Sequence, residues 1–294
     1  MTRYLRPRTL EEALALRAET AGSSPLTLLA GGTDVYPVRT HRTAWFEPFS
    51  RDILDLTAVP ELGGITDGYD GTRIGAATTW SAIAEARLPP AFEALKQASR
   101  QVGGVQIQNR GTIGGNLCNA SPAADGVPPL LALGAEVELA SLSGHRRLPL
   151  SEFVLGNRRT ALAADEILVA IHLPPQPSLA RSAFLKLGAR TYLVISIASV
   201  AAVIAKDDAG RIASARIAVG ACSAAPQRLS GLEGRLVGQE AAPTLAEAVS
   251  AIDLATLSPI DDVRASAAYR KDAALVLVRR ALAGVLSSPL EVAA

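Results

Sequence analysis

The stretch RGTIGGNLCNASPAADGVPP, residues 110–129, is rich in glycine and short polar side chains and poor in residues that build a core. It contains the pair Gly114–Gly115 and one acid, Asp125, and it leads directly into the apolar run LLALGAEVELA. A surface turn needs only one or two glycines. A second stretch of the same kind, AGGTD at residues 30–34, lies upstream. The two stretches therefore indicate a role beyond turning the chain.

Both glycine-rich stretches follow an apolar segment, and their composition suits a bound anion. Glycine tolerates positive φ and lets a ligand approach the backbone, and successive amide groups form a concavity that accepts phosphate oxygens. Thr33 and Thr112 add hydroxyl groups, while Asp34 and Asp125 offer acceptors for ribose, ribityl or ring N–H groups. One glycine pair is more often a turn than a site. Two pairs, each with a threonine, favour a pyrophosphate ligand, and the spacing leaves open which dinucleotide carries it.

The composition indicates a globular protein and argues against several other classes. The chain has 294 residues, 49% hydrophobic and 19% charged, which predicts a soluble globular protein of about two domains. Its net charge of +1, with acids and bases interspersed, argues against nucleic-acid and anionic-membrane partners. Cys118 and Cys222 stand far apart, which argues against a disulfide scaffold, a zinc finger or a cysteine-held iron–sulfur cluster on this chain. No apolar run reaches membrane-span length and the N-terminus lacks a signal core, so a cytoplasmic location is predicted.

The familiar catalytic motifs do not occur. The sequence contains no phosphate-binding GxxxxGK[ST], no GxGxxG and no GxSxG. Its three histidines, His41, His145 and His172, are separated, and no catalytic triad or histidine metal site is predicted. The segment DGYDG is interpreted as a turn, since the remaining ligands of a calcium loop are missing.

Hydrophobic periodicity and turn residues give a coarse map of the elements. The map predicts a helix capped by Thr9, a buried strand at Leu26–Ala30, hairpins at DGYDG and at Ser143–Gly144, and a linker at Pro174–Ser178. Near the C-terminus, SAAYRKDAALVLVRRAL predicts a helix whose main role is packing. The apolar stripe of this helix consists of Ala268, Leu275, Val278 and Leu282. A secondary role, docking a partner, is predicted for its basic residues Arg270, Lys271, Arg279 and Arg280.

Three segments, AGGTDVYP, QNRGTIGGNLCNASPAADGVPP and DDVRASAAYRKDAALVLVRRAL, together resemble the FAD-binding medium subunit of the molybdenum hydroxylases, the family of xanthine dehydrogenase, carbon monoxide dehydrogenase and aldehyde oxidoreductase. The resemblance runs over essentially the whole chain. It implies an α+β fold: a two-lobed FAD-binding domain of the vanillyl-alcohol-oxidase (PCMH) type over residues 1–176, with lobes at about 1–57 and 58–176. A small α+β domain of the CO-dehydrogenase flavoprotein type follows over residues 177–294.

The resemblance also implies which residues hold the FAD. One side of the site is formed by Ala30, Gly31, Gly32, Thr33 and Asp34, and the other by Thr112, Gly114, Gly115, Asn116 and Ser121. Asp125 is expected to reach the ribityl or flavin region, Leu168 to pack near the flavin ring, and Lys186 to lie near the cofactor. Cys118 is expected to be a packing residue.

The function implied is that of an oxidoreductase component. Electrons would reach the FAD from a small two-iron two-sulfur subunit, after a large molybdopterin subunit has hydroxylated the substrate, and would leave to an external acceptor. A dimer of heterotrimers is the implied assembly. Two alternatives stay open on the sequence: a stand-alone FAD-dependent oxidoreductase, and a flavin-free assembly subunit. Gly31–Gly32–Thr33 stands where carbon monoxide dehydrogenases carry GGH, which argues against that substrate.

Overall fold

The first lobe is a small parallel sheet flanked by helices. The structure is a computed structural model and describes residues 3–20, 26–44 and 51–287. Strand β3 lies centrally and pairs in parallel with β1 on one side and β2 on the other. The predicted cap is confirmed, because the Thr9 hydroxyl accepts the Glu12 amide at 3.2 Å. The elements of this lobe are β1 (Tyr4–Leu5), α1 (Leu10–Thr20), β2 (Leu26–Leu29), α2 (Val35–Ala44) and β3 (Asp52–Asp55).

The second lobe is a five-stranded antiparallel sheet covered by short helices, with strand order β4-β5-β10-β6-β7. Both predicted hairpins are confirmed, since β4 pairs with β5 around DGYDG and β6 pairs with β7 around Ser143. The first elements of this lobe are β4 (Ile65–Gly68), β5 (Gly71–Gly75), α3 (Trp80–Glu85), α4 (Glu93–Ser99), α5 (Val105–Gln108), α6 (Ile113–Asn119) and α7 (Val127–Leu133). The remaining ones are β6 (Glu136–Ser141), β7 (Gly144–Pro149), α8 (Leu150–Phe153), β8 (Val154–Gly156), β9 (Arg159–Thr160) and β10 (Ile167–Leu173).

The C-terminal part is a second antiparallel sheet, of order β11-β12-β13-β14, packed on helices. Its long helix α10 buries Leu277, Val278 and Leu282 against this sheet. The elements are β11 (Arg181–Leu187), β12 (Ala198–Lys206), β13 (Ile212–Gly220), β14 (Gln227–Arg228), α9 (Ser230–Leu236) and α10 (Ala267–Ser287). None of the helices among the described residues is long and apolar enough to span a membrane.

Strand β12 is buried on both faces. Alternate side chains point to opposite sides of a strand, and here both sides are cores. Ala201 and Val203 pack with Phe184 and the helices of the second lobe, whereas Ala202 and Ile204 pack with α9 and α10. The sheet of the C-terminal part therefore completes the core of the second lobe as well as its own.

The predicted docking role of the basic residues on α10 is only partly compatible with the structure. Arg270 is buried, and its guanidinium donates to the carbonyl groups of Ile197 and Ala221 and to Asp262. Arg279 donates to the Val249 carbonyl. A buried guanidinium is retained for its internal hydrogen bonds, so the expectation of a four-residue basic face is wrong for Arg270.

Candidate functional site

A cavity of about 360 Å³ lies between the first and second lobes. It opens at the carboxyl ends of β2 and β3, the usual place for a ligand beside a parallel sheet. Its polar and glycine lining consists of Gly31, Gly32, Thr33, Asp34, Gly111, Thr112, Gly114, Gly115, Asn116 and Asn119. Its apolar and thiol lining consists of Leu28, Ala30, Val35, Leu56, Leu62, Ala76, Ala77, Trp80, Val102, Ile107, Cys118, Ile167 and Leu168. Ten of the predicted cofactor residues thus meet in one cavity.

The first glycine loop, residues 30–34, presents free backbone donors to the cavity. It connects β2 to the N-terminus of α2 and passes through Gly32 at φ +74°. The amides of Gly32, Thr33 and Asp34 find no acceptor within the residues that the structure describes. Unpaired amides next to the positive end of a helix attract phosphate oxygens. This loop therefore has the chemistry that was predicted for it.

The second glycine loop differs from this prediction, because its amides are already paired. It is the first turn of α6: Thr112 caps the helix by accepting the Gly115 amide at 3.0 Å. The Ile113 amide donates to Thr78 and the Gly114 amide to Ala76. The loop contributes an open glycine surface and not hydrogen-bond donors. A Cβ on Gly115 would meet only the hydroxyl of the capping residue Thr112, at 2.9 Å, and Ala30, at 4.0 Å. A ligand can therefore lie flat against this glycine.

The two loops touch each other directly. A Cβ on Gly31 would lie 1.9 Å from the Arg110 carbonyl oxygen. The side-chain amide of Asn119 donates to Asp34 across the gap at 2.9 Å. Close packing therefore requires glycine at Gly31, and also at Gly114, where a Cβ would lie 2.6 Å from the Ala76 Cβ.

Two further lining residues fit a dinucleotide. The Asn116 Oδ1 is buried and has no hydrogen-bond partner, a costly state that a ligand donor would relieve. Leu168 reaches the cavity because a β-bulge in β10 places Leu168 and Ala170 opposite adjacent residues of β6. A bulge re-aims side chains at functional sites. Amide donors, a glycine surface and an apolar remainder together suit phosphates and flat ring systems, and so the lining fits FAD.

Three predicted site residues lie outside this lining: Ser121, Asp125 and Lys186. Ser121 forms a turn by accepting the Ala123 amide. Asp125 is buried and bonded to Lys186, at 2.6 Å, and to Ser196, at 2.5 Å. Burial raises the pKa of Asp125, and the ammonium of Lys186 opposes that rise.

Cys118 lines the cavity as a neutral thiol. Burial raises the pKa of its thiol to about 12, against a smaller opposing effect of Arg17. It packs against the core of the second lobe. A thiol with so high a pKa carries no thiolate at neutral pH, which agrees with the packing role expected from the sequence.

Two histidines come together, contrary to expectation. His145 Nδ1 and His172 Nε2 lie 2.8 Å and 2.6 Å from the two carboxylate oxygens of Glu138. The prediction that the histidines are separate is wrong here because β6 pairs with both β7 and β10. Within the described residues, however, no set of three histidine, cysteine or acidic side chains is arranged to hold a metal ion.

Sequence reasoning missed part of the lining, including Trp80, Val102, Ile107 and Gly111. Gly111 is the one with a local signal, because it stands directly before Thr112 in the glycine-rich stretch. The others lie on short helices or turns that reach the cavity only through the tertiary fold. The Trp80 amide, for example, donates to the Gly111 carbonyl at 3.1 Å.

The comparisons with known proteins agree with this geometry. The family model described as the FAD binding domain in molybdopterin dehydrogenase matches residues 1–176, and that of the CO dehydrogenase flavoprotein C-terminal domain matches residues 183–285. The xanthine dehydrogenase FAD-binding subunit of Escherichia coli O157:H7 is 35% identical over 91% of this chain and 90% of its own length. The nicotine 6-hydroxylase medium subunit of Paenarthrobacter nicotinovorans is 33% identical over 95% of both chains.

Among solved structures, a chain of reconstituted CO dehydrogenase from Oligotropha carboxidovorans superimposes with a TM-score of 0.89 at 28% identity, covering 98% of this chain and 99% of that one. Its mixed helix and strand architecture is the α+β fold expected from the sequence. With two family models covering most of the chain and a cavity that suits their cofactor, this protein belongs to the FAD-binding subunits of the molybdenum hydroxylase family, and its cofactor is FAD.

Proposed function

We propose that this chain is the electron-transfer subunit of a multi-subunit molybdenum hydroxylase, passing electrons from an iron–sulfur partner through FAD to an external acceptor. The observation that carries the proposal is the chemistry of the cavity lining. It offers donors, glycine surface and apolar side chains for holding a flavin nucleotide. Within the described residues its only ionisable groups are the carboxylate of Asp34 and the thiol of Cys118.

Of these two groups, the carboxylate is bonded to the opposite loop and the thiol is neutral. Asp34 accepts a hydrogen bond from Asn119, and the thiol of Cys118 stays protonated because burial raises its pKa to about 12. A flavoenzyme that oxidises its own substrate needs a positioned group that removes a proton. The lining therefore favours a relay over the stand-alone oxidoreductase. The flavin-free alternative does not apply to a member of an FAD-binding family.

Different residues of the cavity lining would hold different parts of the cofactor. The amides of residues 32–34 and the start of α2 would hold the pyrophosphate, and Gly115 would let a flat group approach α6. The apolar lining, Leu168 included, would exclude water from the ring systems. FAD supplies the redox chemistry when bound, and the protein sets its position and surroundings.

The partners follow from the family. Relatives are named medium subunits or medium chains, as in nicotine 6-hydroxylase and the carbon monoxide dehydrogenase of Hydrogenophaga pseudoflava. We propose a large molybdopterin subunit that hydroxylates the substrate, a small two-iron two-sulfur subunit that delivers the electrons, and a dimer of such heterotrimers in the cytoplasm. The described cysteines, Cys118 and Cys222, are both free thiols, which suits a reducing compartment.

The proposal is tested by following the flavin absorbance anaerobically. The FAD-loaded chain alone should keep its flavin band when mixed with a purine, a small aldehyde or an N-heterocycle. Addition of the pre-reduced iron–sulfur subunit should bleach the band, because a donor must be held close to the flavin. Rapid bleaching of the isolated chain by an organic substrate would overturn the relay in favour of a self-sufficient flavoenzyme.

A further inference from the structure

The cavity has to hold the negatively charged diphosphate of FAD without a cationic side chain. Its described lining contains no lysine and no arginine, so neutral N–H and O–H donors must stabilise the phosphate oxygens. The first lobe supplies the free amides of residues 32–34. In the first turn of α6, by contrast, the amides of Ile113, Gly114 and Gly115 are already bonded within the chain. A donor from the second lobe is therefore expected from a side chain.

Trp80, the first residue of α3, carries an unused donor. Its side chain is buried, at 2% exposure, and lines the cavity. The indole N–H has no hydrogen-bond acceptor among the described residues. It is also not one of the polar side-chain atoms that are sealed from solvent without a partner. The N–H therefore opens onto the cavity, where a ligand can accept from it.

Two glycines fix the orientation of the indole ring. A Cβ on Gly126 would lie 2.5 Å from Trp80 Cη2, and a Cβ on Gly111 would lie 3.3 Å from Trp80 Cδ1. The Trp80 amide also donates to the Gly111 carbonyl at 3.1 Å. Because Nε1 is bonded to Cδ1, the N–H lies at the Gly111 end of the ring.

This end of the ring is close to the first glycine loop. Thr33 Oγ1 would lie 3.6 Å from the same Cβ on Gly111 that approaches the indole. Thr33 belongs to the loop whose amides are free. The indole N–H and these amides thus border one part of the cavity from opposite lobes.

We propose that Trp80 binds the diphosphate of FAD: its indole N–H donates to a phosphate oxygen from the second lobe, opposite the amides of residues 32–34. The inference rests on the placement of FAD in this cavity under the proposed function. A phenylalanine at this position would keep an aromatic ring and lose the N–H donor. Trp80→Phe therefore isolates the hydrogen bond from the packing.

The direct test observes the indole proton by NMR. The sequence contains only two tryptophans, Trp45 and Trp80, so the full chain labelled with nitrogen-15 gives two indole resonances, and Trp80→Phe identifies which is which. Saturation with FAD should move the Trp80 resonance downfield and slow its exchange with solvent, because a phosphate oxygen is a strong acceptor. ADP should do the same. Adenosine and riboflavin, which lack the diphosphate, should leave the resonance in place.

Binding measured by calorimetry gives the second readout. Trp80→Phe should weaken FAD and ADP about 10- to 100-fold, the range for one hydrogen bond to a charged acceptor, and should leave riboflavin affinity unchanged. Phe92→Leu is the matched control, because Phe92 is a buried ring of the same core that lies outside the described lining. It should lower the melting temperature and leave FAD affinity unchanged.

Three results would overturn the inference: a Trp80 resonance that stays in place while FAD saturates the chain, a shift of that resonance with riboflavin or adenosine, or wild-type FAD affinity in Trp80→Phe. Failure of the cavity assignment itself looks different, since the backbone amide resonances of residues 32–34 would then not respond to FAD. If Trp80→Phe does not fold, the wild-type spectra decide, because only one of the two indole resonances should distinguish ADP from adenosine.

Discussion

Gly115 differs from the other glycines around the cavity in what surrounds its missing side chain. Gly32 needs a positive φ, and Gly31 lies against the Arg110 carbonyl. A side chain at either position would disturb the fold whether or not FAD is present. Gly115 has ordinary helical geometry and faces the cavity. Its substitution should disturb the fold less than the other two, because a Cβ there would crowd only the Thr112 hydroxyl, at 2.9 Å, and not a backbone segment.

We expect Gly115→Ala to fold and to lose FAD affinity by at least about tenfold, which corresponds to about 1.4 kcal/mol. The added Cβ occupies the surface on which the cofactor lies. Alanine favours a helix by about 1 kcal/mol over glycine, and crowding of the Thr112 cap offsets this gain by a similar amount, about 1 kcal/mol. Fluorescence titration and the melting temperature of the apoprotein measure the two effects.

Gly234→Ala is the control for this prediction. It makes the same change on helix α9, where a Cβ would meet nothing within 4 Å. It should leave FAD binding intact. Full flavin occupancy in Gly115→Ala would remove α6 from the site.

The thiol of Cys118 should be unreactive although it lines the cavity. Burial raises its pKa to about 12 and that of Cys222 to about 11, so both groups are protonated at pH 8 and gain reactivity only as the pH approaches those values. Iodoacetamide labelling followed by mass spectrometry should show slow modification of the folded chain and rapid modification after unfolding in urea. Fast labelling of folded Cys222→Ala would contradict this environment for Cys118.

For single residues, the sequence predicted the lining of the cavity where the lining residues stand close together in one short motif. The glycine loops and Asn116 stand within short motifs, and the structure places them together in the cavity. Asp125 and Lys186, which the resemblance assigns to the cofactor, are paired with each other outside the described lining of the cavity. They are 61 residues apart, and no local pattern announces a hydrogen bond across that separation.

Among the elements, those with strong local signals were predicted well. The Thr9 cap and both hairpins follow from a capping residue and turn glycines. Helices α2 and α6 were missed, since each starts in a glycine-rich loop and glycine disfavours helices by about 1 kcal/mol. In α6, the Thr112 cap and the packing of Gly114 on Ala76 override that preference.

The turn that leads into α10 should be sensitive to acid. Hydrogen bonds from the Arg264 amide and from Arg270, among others, lower the pKa of Asp262 to about 2 despite some desolvation. A depressed pKa contributes stability that is complete above the ordinary range near 4 and is lost as the pH falls towards 2. Asp262→Asn should therefore unfold at lower urea concentration than wild type at pH 7, and the difference should shrink below about pH 4.

The comparison for Asp262→Asn is Asp67→Asn, a change outside the C-terminal domain at a carboxylate that accepts from Thr72. This variant controls for the general effect of removing one carboxylate charge. A difference between wild type and Asp262→Asn that persists unchanged to pH 2 would contradict the role of the ionised carboxylate.

For the whole molecule, the shared position of β12 predicts cooperative unfolding. Phe184, Ala201 and Val203 complete the core of the second lobe, while Ala202 and Ile204 belong to the core beneath α10. Neither core is complete without this sheet. We therefore expect one calorimetric transition for the apoprotein, with equal calorimetric and van't Hoff enthalpies.

Two core variants probe this cooperativity. Phe184→Ala, in the first core, should cost about 3–5 kcal/mol, and Leu282→Ala, in the second, about 2–5 kcal/mol. Both should shift the same single transition. A second, separately moving peak in either variant would show that the two parts unfold independently.

Because the C-terminal sheet completes two cores, the core of the second lobe cannot form until this sheet has been synthesised. Helices α4 and α7 pack on β11, β12 and β13. Residue 218 of β13, however, is synthesised about 45 residues after the end of β10, a delay of about 2–9 s at about 5–20 residues per second. During that interval the nascent flavin domain has its full sequence but an open apolar face. Translation of this chain is therefore expected to recruit chaperones between residues 176 and 220, and slower codons in that span would lengthen the exposure.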